Sequence, residues 1–141
     1  MTGHSAILDT ILHVITGTRK GGMCYMVANY LTDYSIRNTL VASINSGVNV
    51  RVILNSEAYG ASYAASMLKA DGASVEFAPM SPYLHAKVLA CQSGKTYSAV
   101  GGSANFSYDG MNVNHELDIV LVGSDAHQVF DWARGVFALG K

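Results

Sequence analysis

Charge is scarce in this chain. Only 13% of its 141 residues are charged, against about a quarter in ordinary globular domains. The nine lysines and arginines nearly cancel the ten acids. No basic stripe of the kind that grips a duplex is present. That argues mildly against a processive nuclease, although a pocket needs only a few local charges. Proline occurs twice, at Pro79 and Pro82, where it predicts extended chain leading up to residue 85. The two cysteines, Cys24 and Cys91, lie in apolar strand-like runs with no Cys-x-x-Cys spacing. They are expected to be buried free thiols, and neither a metal nor another cofactor is predicted. No run approaches the roughly 18 apolar residues of a membrane span, and the first residues lack the basic-then-apolar pattern of a signal peptide. No stable membrane insertion and a cytoplasmic location are the expectations. Internal repeats, low-complexity tracts and linkers are also missing, so residues 1–141 are predicted to form one domain, which would bury about two-thirds of its extended surface.

What the chain does have is an alternation of strand and helix signals. Ser5 is placed to cap a helix whose apolar stripe is Ile7, Leu8, Ile11, Leu12 and Ile15, ended by glycines from Gly17. Residues 23–30 predict a buried strand. Thr32 or Asp33 then caps a second helix with Ile36, Leu40, Val41 and Ile44 on its buried face, and Gly47 follows as its stop. Residues 48–54 predict the partner strand of a right-handed β-α-β unit. A helix over 61–71 and short strands over 74–77 and 117–122 come next, with a polar loop or loop plus one helical turn over 103–115. Ser124 caps a last helix that buries Val129, Phe130, Ala133, Val136 and Phe137. The sum is an α/β fold with a mixed sheet and helices on both faces.

The organising stretch is 85–105, HAKVLACQSGKTYSAVGGSAN. It divides into strand, tight turn, strand and glycine-serine loop. Residues two apart on a strand share a face, so His85 and Lys87 should point the same way, roughly 7 Å apart. With Ser93-Gly94 as the turn, Gln92 would pair with Lys95, Lys87 with Val100 and His85 with Gly102. The hairpin then carries Ser103 and Asn105 to the His85 end. Taken singly, each residue has a structural explanation: a histidine at a strand start is more often packing than chemistry, and a Gly-Gly-Ser run is more often just a turn. Together, an imidazole, an ammonium, a hydroxyl and an amide beside glycines describe an oxyanion or phosphate site.

His85-Ala-Lys87 followed by Gly102-Ser-Ala-Asn105 resembles the HxK…GSxN signature of the phospholipase D superfamily, and Asn114-x-Glu116 sits where that family places an acidic residue. The likeness runs from about Ile7 to Phe137 and most resembles the single-motif nucleases. It implies metal-independent phosphodiester hydrolysis at the interface of a homodimer. His85 of one subunit would be the nucleophile and His85 of the other the general acid. Lys87 and Asn105 would hold the non-bridging oxygens, Ser103 the phosphate or the loop, and Glu116 the imidazole, with Asp118 a rival for that last role. Gly102, Tyr30, Thr32, Tyr83, Tyr108 and His115 would border the substrate. His4, His13 and His127 are less promising. The resemblance departs at Gln92, where the family's HxKxxxxD pattern has an aspartate. Gln92 lies about 23 Å from His85 along an extended strand and on the opposite face, so it should affect stability more than chemistry. Relatives commonly carry one more strand before the first helix, which leaves either a shorter sheet or an edge covered by something else. A nucleic acid is the leading substrate. A phospholipid, which would need an apolar rim beside the pocket, and a non-catalytic phosphate-polymer binding or assembly module are the alternatives.

Overall fold

The computed structural model describes residues 5–141. In chain order the elements are α1 (Ala6–Thr16), β1 (Met23–Ala28), α2 (Tyr34–Asn45), β2 (Asn49–Leu54), α3 (Ala61–Ala70), β3 (Ser74–Phe77), β4 (Val88–Ser93), β5 (Thr96–Gly102), α4 (Tyr108–Asn112), β6 (Asp118–Val122) and α5 (Ser124–Phe137). The strands form one sheet in the order β3-β2-β1-β4-β5-β6. β1, β2 and β3 are parallel, while β4, β5 and β6 join as antiparallel strands. His4 lies outside the described residues.

Strand alternation sends side chains to two separate cores. On one face Met26, Val52, Leu54, Leu89 and Val100 pack with Leu8, Ile11 and Ile15 of α1, Ile36 and Leu40 of α2 and Leu68 of α3. On the other, Tyr25, Val27, Ile53, Ala90 and Ala99 pack beneath Ala126, Phe130 and Ala133 of α5. The helices begin largely as expected. The Ser5 hydroxyl accepts from Leu8 N, and Asp33 Oδ1 accepts from Ile36 N. The last helix differs: Gly123 holds the cap position and no side chain caps it, so Ser124 is its first residue.

Three other expectations are corrected. The two-residue turn is Gly94-Lys95, because Ser93 pairs with Thr96 and Gln92 with Tyr97. Gly94 has φ 61°, and a glycine at the first central position suits a type II′ turn. Val100 therefore faces Leu89, not Lys87. The shift is by two residues, so the side chains keep their faces. Secondly, the 23–30 strand ends at Ala28, and the His85–Lys87 segment is extended chain ahead of β4 rather than part of it. Thirdly, Cys24 and Cys91 are not free thiols. They sit opposite each other on antiparallel β1 and β4 with Cα atoms 4.1 Å apart, and they form a disulfide.

The two sheet edges differ. Phe77 N and O of β3 bond to Lys141 O and N, so Lys141 pairs with the end of that edge. Among the described residues, no strand pairs with the outer edge of β6, where Ile119 is 60% and Val122 70% exposed.

Candidate active site

The carboxyl ends of parallel β1 and β2 meet the start of β4, the end of β5 and the start of β6 at one end of the sheet. Ligands collect at such an end in α/β sheets. Two buried amides tie this end together. Asn55 Nδ2 donates to Asn29 Oδ1 at 2.9 Å and to Leu84 O at 3.5 Å. Asn29 follows β1, Asn55 follows β2, and Leu84 immediately precedes His85, so the pair fixes the backbone from which the imidazole projects.

His85 is exposed, and its ring stacks on Tyr83 with centroids 5.9 Å apart. Lys87 reaches back to it: Nζ lies 3.4 Å from Nδ1 and 3.3 Å from Nε2. The lysine itself is only 8% exposed. Among the described residues it pairs with no carboxylate, because the ion pairs present involve His127, Asp131 and Arg134. A buried ammonium without a counter-ion is costly. The arrangement therefore asks for an anion at the imidazole.

The register continues across the sheet. Gly102 N donates to Lys87 O, and Gly102 pairs with Asp118 of β6. A Cβ at Gly102 would run into Leu117 O and Asp118 Oδ1, so this glycine is needed for the approach of β6. Ser103 serves the loop: its Oγ accepts from Leu117 N at 3.0 Å. Asn105 is half-buried and its Oδ1 is shut off from solvent without a donor. Glu116 Oε2 and Asp118 Oδ2 share that condition. Glu116 makes no hydrogen bond to His85 among the described residues. Asp118 Oδ1 accepts from Ala104 N, and burial pushes its carboxyl above the ordinary 3.8, opposed by that bond and reinforced by the nearby Glu116 charge. The structure thus turns Asp118 toward the backbone of the site loop.

The flanking residues divide. Leu31 bridges Phe106, and Thr32 N bonds Phe106 O, which lays Tyr30 and Thr32 beside the Asn105 loop. Tyr83 stands over His85. Tyr108, the first residue of α4, and His115, in the segment after that helix, are both exposed. Gln92 lies at the turn end of β4, where its amide donates to Gly94 O and the Tyr97 hydroxyl. Among the described residues no group of three or more histidines, cysteines or acids is placed to hold a metal.

Residues 11–133 match the family described as cardiolipin synthase, PLD-like domain. The chain belongs to this family. No curated protein matches it in sequence. Among solved structures it is similar to Nuc from Salmonella typhimurium, a phospholipase D family member, with a TM-score of 0.79 at 18% identity over 94% of this chain and 88% of that one. It is also similar to NucT from Helicobacter pylori, with a TM-score of 0.75 at 15% identity over 95% and 89%. Part of the polyphosphate kinase from Porphyromonas gingivalis shares the fold, with a TM-score of 0.66 at 16% identity over 92% of this chain and 20% of that one.

Proposed function

We propose that the chain is a metal-independent phosphodiesterase that works through a phosphohistidine at the interface of a homodimer. The observation that carries this is the buried, unpaired ammonium of Lys87 beside both ring nitrogens of His85. A phosphodiester supplies the missing anion. A His85 ring nitrogen attacks phosphorus, the bond to one alcohol oxygen breaks, and His85 of the second subunit gives that oxygen its proton. Water then attacks phosphorus, the N–P bond breaks, and the water's proton passes to the second histidine. Lys87 and Asn105 hold the non-bridging oxygens, where charge builds.

The dimer is part of the reading because the chain has one HxK run and the reaction needs two imidazoles. A two-fold axis supplies the second copy. The single-motif, nuclease-like resemblance makes a polynucleotide the first substrate to offer, with a phospholipid-type diester beside it.

The deciding experiment uses wild type, His85→Ala and a mixed dimer of the two on one phosphodiester, with excess EDTA throughout. Wild type should scatter light as a dimer of the 15.0 kDa chain and keep its activity in EDTA. His85→Ala should fall to background while still binding substrate, and the mixed dimer should be crippled with it. An active monomer, or activity lost in EDTA and restored by Mg²⁺, would sink the reading.

A further inference from the structure

Asn105 stands between two buried residues, Ala104 and Phe106, and its neighbours decide where its amide sits. Downstream the anchor is main chain. Thr32 N and Asp33 N each donate to Phe106 O at 2.9 Å, and Leu31 bridges Phe106. Further upstream, Ser103 N donates to Leu117 O at 3.1 Å and Leu117 N to Ser103 Oγ at 3.0 Å. Ala104 N, the last amide before Asn105, has a different partner: it donates to Asp118 Oδ1 at 3.2 Å. Among the described residues Asp118 is the one side chain bonded to the backbone of 104–106. The room for it is built in. Asp118 pairs with Gly102, and any Cβ on Gly102 would collide with Asp118 Oδ1. The carboxyl is also kept there at a cost. Burial opposes its charge, the Ala104 bond favours it, and the Glu116 charge opposes it again. Its Oδ2 has no donor. A residue that loosens the fold where a neutral one would not is expected at a functional site.

We infer that Asp118 is the positioning residue for Asn105, holding the amide before it so that the Asn105 side chain meets the non-bridging oxygens. The inference rests on the phosphodiesterase reading, which gives Asn105 that task. What Asp118 supplies is an acceptor oxygen at a fixed place; the charge itself is dispensable. Without the bond, the chain between Ser103 and Phe106 is free to shift, and the short Asn105 side chain cannot make up the difference.

The test is a double-mutant cycle on bis(4-nitrophenyl) phosphate. Asp118→Ala should lower kcat about ten- to a hundredfold, the effect of a displacement of about 1 Å, and change KM far less. Asp118→Asn should recover most of that loss, because an amide oxygen accepts from Ala104 N as a carboxylate does. In an Asn105→Ala background, Asp118→Ala should cost little more, since two residues that act through one contact are not additive. If Asp118→Ala melts far below wild type, Asp118→Val, which suits a strand and has no acceptor, is read in its place. A wild-type kcat in the variants lacking the acceptor, no recovery with Asn, or a full multiplicative loss in the double variant overturns the inference. Orthovanadate, which adopts the five-coordinate shape of phosphorus under attack, repeats the cycle by calorimetry without turnover. The same non-additive pattern in vanadate affinity, with no hydrolysis by wild type, removes the phosphodiesterase and leaves the role of Asp118. Hydrolysis with an additive cycle does the reverse, and silence in both assays removes both.

Discussion

At the scale of single residues, the two amides behind the imidazole are the main addition to the sequence picture. Asn29 and Asn55 each end an apolar strand run, Val-Ala-Asn and Ile-Leu-Asn. That position is where an amide in a parallel pair meets the active edge, yet nothing local shows that both turn inward to hold each other and Leu84. Asn55→Ala leaves Asn29 Oδ1 and Leu84 O without that donor in a buried place. It should cost about 1–3 kcal/mol in denaturant unfolding, and lower kcat more than substrate affinity, because Leu84 aims His85. Asp118 gives a pH signature. Its folded carboxyl is raised above 3.8, so the folded state prefers the protonated form. Stability from this group is therefore greatest below about 3.8 and declines as pH rises through its higher folded value. Asp118→Asn keeps an oxygen for Ala104 N and removes the buried charge. Its melting temperature should equal or exceed wild type at pH 7, and the difference should vanish in acid. A variant that melts lower at pH 7 and higher in acid would reverse the sign.

Elements were more legible than their pairings. Helix caps and stripes place α1 and α2 within a residue or two, because capping and apolar period are local signals. Ser103, Asn105, His85 and Lys87 are brought to one end by the hairpin even though its turn is one residue later than expected, since a shift of two preserves faces. What sequence could not supply is the geometry across strands. Cys24 and Cys91 become opposite each other only once β1 pairs with β4, a contact 67 residues apart in the chain. The missing contact between Glu116 and His85 is of the same non-local kind. Gln92 tests the hairpin. Its amide donates twice at the turn, and a carboxylate donates neither bond. Gln92→Asp should therefore cost about 1–2 kcal/mol and lower the melting temperature, with kcat/KM within about twofold of wild type. A hundredfold change in rate, about 2.7 kcal/mol, would place residue 92 at the chemistry.

For the molecule as a whole, the disulfide closes a long loop. The chain-entropy argument gives about 4 kcal/mol for a loop of this length, so reduction should lower the melting temperature by on the order of 10 °C. Protein purified without reductant and then denatured should titrate no thiols, and two after reduction. Two thiols before reduction would return the cysteines to the buried free state. No helix among the described residues is long and apolar enough to cross a membrane. A disulfide persists best in oxidising surroundings, which is a counterweight to the expectation of a cytoplasmic location.

The same bond has a topological consequence. It makes residues 24–91 a covalent ring, with β1, β2, β3 and the His85–Lys87 segment strung along it. The Asn105 loop, β6 and α5 hang from the ring as a tail. A protease that nicks the exposed stretch around Glu57 and Tyr59, or the one around Met80 and Tyr83, opens a circle rather than cutting a line. The nicked molecule keeps its full mass on a non-reducing gel, and its two pieces part only when the sulfurs do.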